Sequence, residues 1–237
     1  MTGMTRATLI AGAVSAAAWC APAPAPVVPG LAEVMRIPRR LPDARGIALT
    51  FDDGPHPSGT PAVLDLLAVA RVTATFYLVG EQVERWPELA ARIVSEGHEV
   101  GLHGFRHTLL LRRTPRGLTR DLLRAAAVIE DATGAAPRSY RPPYGVFNSF
   151  ALGLVRRQGW QPMLWSRWGR DWGAHDRPDD IARRATRAIG GGDVILLHDA
   201  DHYSAPGSWR QTVAALPSIL SACTATGLPA VSVTQST

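Results

Sequence analysis

The stretch GIALTF at residues 46–51, followed directly by Asp52-Asp53-Gly54-Pro55, decides the fold class of this chain. Its apolar and β-favouring residues predict a buried strand, and the Asp-Asp-Gly-Pro sequence is typical of a turn that ends one. Neighbouring side chains on a strand normally point to opposite faces of the sheet. A strand that breaks at Gly54 can release both carboxylates toward one site, where their repulsion calls for a cation or a chemical role. Taken alone, the same four residues also fit an ordinary turn.

Strand-like and helix-like segments alternate along the rest of the chain. Further strands are predicted at residues 74–80, 98–102, 139–140, 161–166, 193–197 and 229–233. Helices are predicted at 60–72, 87–96, 118–133, 148–158, 179–189 and 209–225. This alternation favours parallel βαβ units. We therefore predict an α/β fold in a single domain, a distorted (β/α) barrel of about seven parallel strands, with a doubly wound open sheet as the alternative.

A histidine pair follows the predicted strand that ends at Leu102. His103 and His107 are four residues apart, which on a helical turn places both imidazoles on one face. Together with a carboxylate from a neighbouring strand end they would make a set of two histidines and one aspartate. Such a set leaves positions open for water and substrate, as catalytic metal sites do. A pair at this spacing can also be coincidental.

Three more polar clusters follow predicted strands. In RPPYG (141–145) two prolines stiffen the loop, Arg141 can pair with a carboxylate, and Tyr144 offers a backbone N–H for an oxyanion. Asp171 can orient a catalytic histidine, and His198 stands at a strand end. A rigid turn and a core histidine are the ordinary interpretations of these residues. Because active sites of parallel barrels gather at the carboxyl ends of the strands, we expect all the clusters to meet.

These clusters resemble the five ordered motifs of the polysaccharide deacetylase family, also called the NodB-homology or carbohydrate esterase family. The motifs are TFDDGP (50–55), HGFRH (103–107), RPPYG (141–145), DW (171–172) and ILLHD (195–199). The resemblance spans residues 46–233. It implies a metal-dependent hydrolase that removes N-acetyl, or O-acetyl, groups from a carbohydrate such as chitin oligosaccharide, peptidoglycan or another acetylated glycan. The chain departs from the family pattern at Gly104, where Ser or Thr is usual, and at Trp168, where many members have an acidic residue.

The resemblance also implies a role for each matching residue. The implied ligands of a divalent metal, zinc in preference to cobalt or manganese, are Asp53, His103 and His107. The implied catalytic groups are Asp52 as general base, Arg141 as its tether, His198 as general acid, Asp171 as the residue that orients His198, and the backbone N–H of Tyr144 as an oxyanion donor. The implied substrate contacts are Trp172, Leu196 and Pro142.

Other functions remain open from the sequence. A deacetylase of a small acetylated metabolite is compatible with the same motifs, because no sugar-binding module is attached. An inactive carbohydrate-binding relative would tolerate the loss of catalytic groups, all of which are present here. A glycosidase needs two carboxyl groups about 5–9 Å apart across a sugar and leaves the histidine pair without a role.

Residues 1–30 differ in composition from the rest of the chain. Arg6 precedes an apolar run from Ala7 to Trp19, and four prolines follow between residues 22 and 29. This pattern predicts an export signal or membrane anchor followed by a stiff extended linker, with the catalytic domain at 31–237. We therefore expect a secreted or membrane-anchored protein outside the cytoplasm, associated with the membrane or cell wall through its N-terminus.

The composition excludes several classes of protein. With 237 residues, 46% hydrophobic and 19% charged, the chain is neither disordered nor a polytopic membrane protein. Its two cysteines exclude a disulfide framework and a four-cysteine zinc site. The net charge of +5 permits an anionic partner, but no dense basic run indicates nucleic-acid binding. The expected partner is an acetylated glycan or amino sugar, and the expected state is a monomer.

Overall fold

Seven parallel strands form one sheet in the computed structural model, which describes residues 15–234. They are β1 (Ala48–Asp52), β2 (Thr75–Leu78), β3 (Glu99–Leu102), β4 (Ser139–Tyr140), β5 (Gln161–Pro162), β6 (Arg167–Trp168) and β7 (Val194–His198). Their order is β5-β4-β3-β2-β1-β7-β6, and every adjacent pair is parallel. β1 is an interior strand between β2 and β7 and is buried at every residue, as its unbroken apolar run predicts.

Helices connect the strands. They are α1 (Pro29–Val34), α2 (Gly59–Ala70), α3 (Gly80–Arg85), α4 (Pro87–Ser95), α5 (Pro115–Thr133), α6 (Ser149–Arg157), α7 (Pro178–Thr186) and α8 (Ser208–Ala225). Short 3₁₀ turns lie at Leu110–Arg112 and Pro143–Gly145. The longest helix within residues 15–234, α5, is capped at its start by Thr114, whose side chain accepts the N–H of Gly117, and at its end by Gly134 with φ 69°. A glycine is favoured at that end because the left-handed backbone costs it no steric strain.

The strand order confirms the predicted distorted barrel in a single domain. From β5 to β1 the neighbours are consecutive in the chain, and β1 then pairs with β7 rather than starting a second half-sheet. A doubly wound sheet would instead reverse its order near the middle. Within residues 15–234, β5 and β6 are the two ends of the sheet and do not pair, so the sheet curls into an incomplete barrel.

Two predicted strands differ from those observed. Residues 161–166 were predicted as one strand, but the ladder stops after Pro162, and Leu164 donates its N–H to Pro38 across the open side of the barrel. A new strand, β6, starts at Arg167. The predicted strand at 229–233 makes only one isolated bridge, between Ala230 and Ile47. Seven strands are therefore both predicted and observed. The predicted strand at 229–233 is absent from the sheet, however, and β6 is a strand that the sequence did not predict.

The segment predicted as an extended linker is folded onto the domain. The N–H groups of Ala23, Ala25 and Val27 each donate to the carbonyl three residues earlier, which makes successive turns. Ala25 is fully buried in the hydrophobic core, and Trp19 stacks on Phe150 with ring centroids 6.4 Å apart. The prediction of a stiff extended linker is therefore wrong, because apolar burial outweighs the extended preference of the prolines.

The predicted signal or anchor lies mostly outside the described residues, which begin at Ser15. Among residues 15–234, no helix combines the length and the apolar character needed to cross a membrane.

Candidate active site and metal centre

Two adjacent carboxylates stand where β1 ends. Asp52 is the last residue of the strand, and Asp53 has φ 78°, in the left-handed region that aspartate tolerates better than most residues. This turn brings both side chains to one side, where they are 3% and 4% exposed. Nε2 of His103 lies 3.9 Å from Oδ2 of Asp52 and 3.4 Å from Oδ1 of Asp53. The broken strand thus joins both carboxylates to the histidine cluster, as predicted from the sequence.

Three candidate metal ligands converge in this cluster. Oδ1 of Asp53 is 3.4 Å from Nε2 of His103 and 3.3 Å from Nε2 of His107. Ligand atoms about 2.1 Å from a tetrahedral ion lie about 3.4 Å from one another, so the spacing suits a metal such as zinc. Oδ1 of Asp53 is also buried without a hydrogen-bond partner. The three residues therefore fit a divalent cation.

The protonation states of these ligands favour metal binding. Burial raises the pKa of Asp53, but the close contact with His103 and the other nearby imidazoles outweigh burial and hold that pKa well below its usual range. Burial lowers the pKa of His107 to about 4, against the opposing charge of Asp53. At neutral pH Asp53 is therefore an anion and His107 is neutral, which are the forms that bind metals.

The two histidine rings are held in different ways. Nδ1 of His103 lies 2.8 Å from the carbonyl oxygen of Arg141, which fixes its ring by a hydrogen bond. Nδ1 of His107 has no such partner among the described residues. Instead the ring of His107 stacks on Tyr203, with centroids 4.4 Å apart and planes 12° apart, and meets the edge of Tyr144 at 4.5 Å. Aromatic packing therefore orients the ring of His107, whereas a hydrogen bond orients the ring of His103.

The loop that carries the histidines is not the helical turn expected from their spacing. Residues 103–107 form a bend, and Gly104 has φ 94°, a backbone conformation that side chains rarely adopt. Oδ2 of Asp121 on α5 accepts the N–H of Phe105 at 2.9 Å. Gly104 has no side-chain hydroxyl with which to hold this loop. The hydrogen bond from Phe105 to Asp121 ties the loop to α5.

Arg141 ties the carboxylate pair to the barrel. It is fully buried, and its Nη1 donates to Oδ1 of Asp52 and to Oγ1 of Thr50, both at 2.7 Å. Its Nη2 donates to the carbonyl of Leu164 at 3.0 Å, and its guanidinium lies 4.1 Å from the ring centroid of Tyr77. These contacts place Arg141 against Asp52, the partner that the family resemblance implies.

His198 and Asp171 form a second buried pair. Nδ1 and the backbone N–H of His198 each lie 2.8 Å from a carboxylate oxygen of Asp171, and Thr212 donates to the same carboxylate at 2.7 Å. Burial opposes the charged imidazole, but the charge and hydrogen bond of Asp171 outweigh it and raise the pKa of His198 to about 10. His198 is therefore an imidazolium at neutral pH. Because His198 is paired in register with Asp52 on the adjacent strand, the two groups face the same cavity.

One cavity of about 370 Å³ contains these groups. Its lining residues are Asp52, Asp53, His103, His107, Tyr144, Gly145, Trp165, Trp168, Trp172, Leu196, His198, Tyr203 and Ser204. Of the three predicted substrate contacts, Trp172 and Leu196 line the cavity, whereas Pro142 is buried and does not. Tyr144 is 59% exposed at the rim, with φ 60°. Behind it Gly145 has no room for a side chain, because a Cβ there would lie 2.5 Å from Trp165.

Several lining residues were missed from the sequence as site residues. Trp165 lies within the break at 163–166, and Trp168 lies on β6, which follows it. The apolar pattern of these residues gives no indication that the strand is interrupted there. Tyr203 and Ser204 lie on the loop after β7. The polar and aromatic composition of residues 199–209 is a weak signal for such a rim.

Comparisons with known proteins agree with this geometry. The family model described as polysaccharide deacetylase matches residues 40–163. Over 177 residues, 73% of this chain and 79% of the relative, the chain is 37% identical to a peptidoglycan-N-acetylglucosamine deacetylase of Bacillus cereus. Over 156 residues, 65% of this chain and 71% of the relative, it is 42% identical to a chitooligosaccharide deacetylase of Bradyrhizobium sp..

A solved structure shows the same architecture. A peptidoglycan N-acetylglucosamine deacetylase in complex with a substituted benzamide superposes with a TM-score of 0.79 and 29% identity. The match covers 86% of this chain and 94% of that one.

Proposed function

The chain belongs to the polysaccharide deacetylase family, and from that premise we propose that it removes acetyl groups from an acetylated amino-sugar glycan with the help of a divalent metal. The reaction is hydrolysis of a carbon–nitrogen bond that is not a peptide bond, releasing acetate and a free amine. The observation that carries the proposal is that Asp52, His198 and the cluster of Asp53, His103 and His107 line one cavity.

Asp52 is proposed as the general base. Its Oδ1 is occupied by Arg141, while Oδ2 lies on the side of the cluster, 3.9 Å from His103. Arg141 pairs with this carboxylate, and a general base must be ionised to accept a proton from water. In this geometry Oδ2 is the oxygen that receives the proton.

His198 is proposed as the general acid. Oδ1 of Asp171 accepts a hydrogen bond from the Nδ1–H of the imidazolium, so the Nε2–H is left to donate a proton to the leaving amine. The raised pKa keeps that proton available at neutral pH. The backbone N–H of Tyr144 is the proposed donor to the oxyanion, and the neighbouring prolines hold its loop rigid.

Asp53, His103 and His107 are proposed to hold the metal, and zinc is favoured by their tetrahedral spacing. When bound, such an ion acidifies water and polarises an acetyl carbonyl. The presence of the whole set of catalytic groups favours an active enzyme over an inactive binding relative.

The site of action is proposed to be outside the cytoplasm. The apolar run after Arg6 supports export, and relatives of the chain are named as deacetylases of peptidoglycan, a cell-wall polymer. Because Trp19 and Ala25 pack on the domain, any cleavage is expected before Trp19. Fractionation of the native host, with sequencing of the mature N-terminus, tests this, and intact cytoplasmic protein would contradict it.

The activity is tested by acetate release from chitin oligomers, peptidoglycan and a small acetylated amino sugar. We expect release from at least one of the two glycans, loss after chelation and recovery with a divalent ion. Full activity in metal-stripped enzyme, verified by elemental analysis, would contradict the metal assignment. Release from the small sugar alone would favour a metabolite deacetylase.

A further inference from the structure

A second cavity lies beside the active-site cavity, on the side of β6. Its lining residues are Ser166, Arg167, Trp168, Arg170, Arg184 and Arg187. Trp168 lines both cavities and is therefore their common wall. Its ring centroid lies 5.6 Å from those of Trp165 and Trp172. The guanidinium of Arg170 lies 4.6 Å from the same ring.

The second cavity carries uncompensated positive charge. Arg184 pairs with Asp176 at 3.0 Å. Arg167 reaches Asp193 at 3.3 Å, but that carboxylate is already bonded to Arg40 at 2.6 Å, so two guanidiniums share one anion. Two of the four lining arginines, Arg170 and Arg187, form no ion pair with any carboxylate in the part of the chain described, and the lining contains no acidic residue.

The backbone holds Arg170 in place. Its φ of 52° is left-handed, which is unfavourable for an arginine and persists only where the surroundings impose it. Arg184 supplies that support, donating from Nε to the carbonyl of Gly169 at 2.6 Å and from Nη2 to the carbonyl of Arg170 at 3.1 Å. Arg170 is exposed, and its guanidinium lies over Trp168 from this supported backbone position.

We propose that this cavity is an anionic subsite that binds a carboxylate of the glycan, next to the sugar that loses its acetyl group. The inference rests on the proposed function and narrows its substrate class to acetylated amino-sugar polymers that carry carboxylates. Guanidinium groups bind carboxylates through paired, charge-assisted hydrogen bonds. The broad indole face of Trp168 offers an apolar surface to a sugar ring that extends from one cavity to the other. A neutral oligomer would offer Arg170 and Arg187 no anionic partner.

The test uses a matched pair of substrates. One is an N-acetylated amino-sugar oligomer with one carboxylate per disaccharide, and the other is the same oligomer with its carboxylates converted to primary amides. For the wild-type enzyme we expect kcat/KM about 10-fold higher on the carboxylate form, the size expected of one charge-assisted contact. In the double variant Arg170→Gln, Arg187→Gln the ratio should fall to about 1, because the preference for the carboxylate form is lost. High salt should reduce the wild-type ratio.

The matched control is Arg183→Gln on α7, which is exposed, pairs with Asp180 at 2.8 Å and does not line the cavity. It should keep the wild-type ratio. Equal kcat/KM on both oligomers in the wild type, or a ratio that the double variant leaves unchanged, would overturn the subsite. If neither oligomer releases acetate, the proposed function is decided by the assays on chitin oligomers and peptidoglycan. Calorimetric binding of both oligomers to the metal-stripped wild type and double variant then decides the subsite alone: tighter carboxylate binding lost in the variant supports it, and equal binding overturns it.

Discussion

Two sides of the active-site cavity carry histidines, and the histidine pKa is shifted in opposite directions on the two sides. On the metal side, which consists of Asp53, His103 and His107, two imidazoles share one carboxylate oxygen, and burial lowers the pKa of His107 to about 4. On the acid side, which consists of Asp171 and His198, one imidazole has a carboxylate to itself, and its pKa rises to about 10.

The difference teaches that burial alone does not set the charge of a histidine. Both rings are largely but not fully buried, with side chains 6% and 13% exposed, and burial lowers both pKa values. The outcome depends on whether a carboxylate is hydrogen-bonded to the ring and fixed in place. Asp171 is fixed by His198 itself and by Thr212, whereas Oδ1 of Asp53 has no hydrogen-bond partner in the described part of the chain. One side is thereby prepared to bind a cation and the other to hold a proton.

The strongest way to break the metal side is to remove a ligand. His103→Ala or His107→Ala should lower metal affinity by more than about 100-fold, which exceeds the loss typical for residues that only hydrogen-bond to a metal ligand. Both variants should also abolish acetate release. Metal content after dialysis and calorimetric titration measure the effect. His175→Ala, which changes an exposed histidine outside the cavity, is the control. Unchanged metal content in either ligand variant would show that the cation lies elsewhere.

Removing the proposed base should cost nearly as much while leaving the metal in place. Asp52→Asn keeps the shape of the side chain but loses its ability to accept a proton, so kcat should fall at least about 100-fold. Metal content should stay at the wild-type level because Asp53 is untouched. Near-normal turnover by the metal-loaded variant would place the base on another residue.

The acid side should respond to pH. Because the raised pKa keeps His198 protonated up to about pH 10, activity should fall as the pH rises through that value. Asp171→Asn removes the charge that raises this pKa while burial continues to lower it, so the alkaline limb of the pH–activity profile should move to lower pH. At pH 7 we expect a loss of about 10-fold, less than for Asp52→Asn. An alkaline limb at the same pH as in the wild type would show that Asp171 does not raise the pKa of the general acid.

The smallest expected effect concerns the ring that packs on His107. Tyr203→Leu removes the stacked face and should lower metal affinity about 10-fold, as loss of a residue supporting a ligand does. Tyr203→Phe keeps the ring and loses only the hydroxyl contacts to Glu81 and Gln82, so its metal affinity should stay within a few-fold of wild type. Added metal should restore the Leu variant. Equal metal affinity in the Leu variant and the wild type would show that the stacking does not position His107.

Most of the fold and the metal side could be predicted from the sequence. Strand and helix periodicity is local, so the alternation of elements and the positions of β1 and β7 follow from a few consecutive residues. The candidate ligands and the Asp52 and His198 groups stand directly at strand ends. Parallel strands bring those ends to one edge whatever the detailed packing, so motif order was enough to predict that they meet.

Only the tertiary structure decided the parts that depend on contacts between distant residues. Tyr203 reaches His107 across 96 positions of the chain, and Trp168 gains its place from the opening between β5 and β6. The proline-rich turns around Ala25 fold inward because apolar burial exceeds the local preference of the prolines. A local sequence pattern reports only the conformational preference of its own segment. The positions of Tyr203, Trp168 and Ala25 depend instead on which apolar surfaces of the barrel they bury, and these surfaces come from distant parts of the chain.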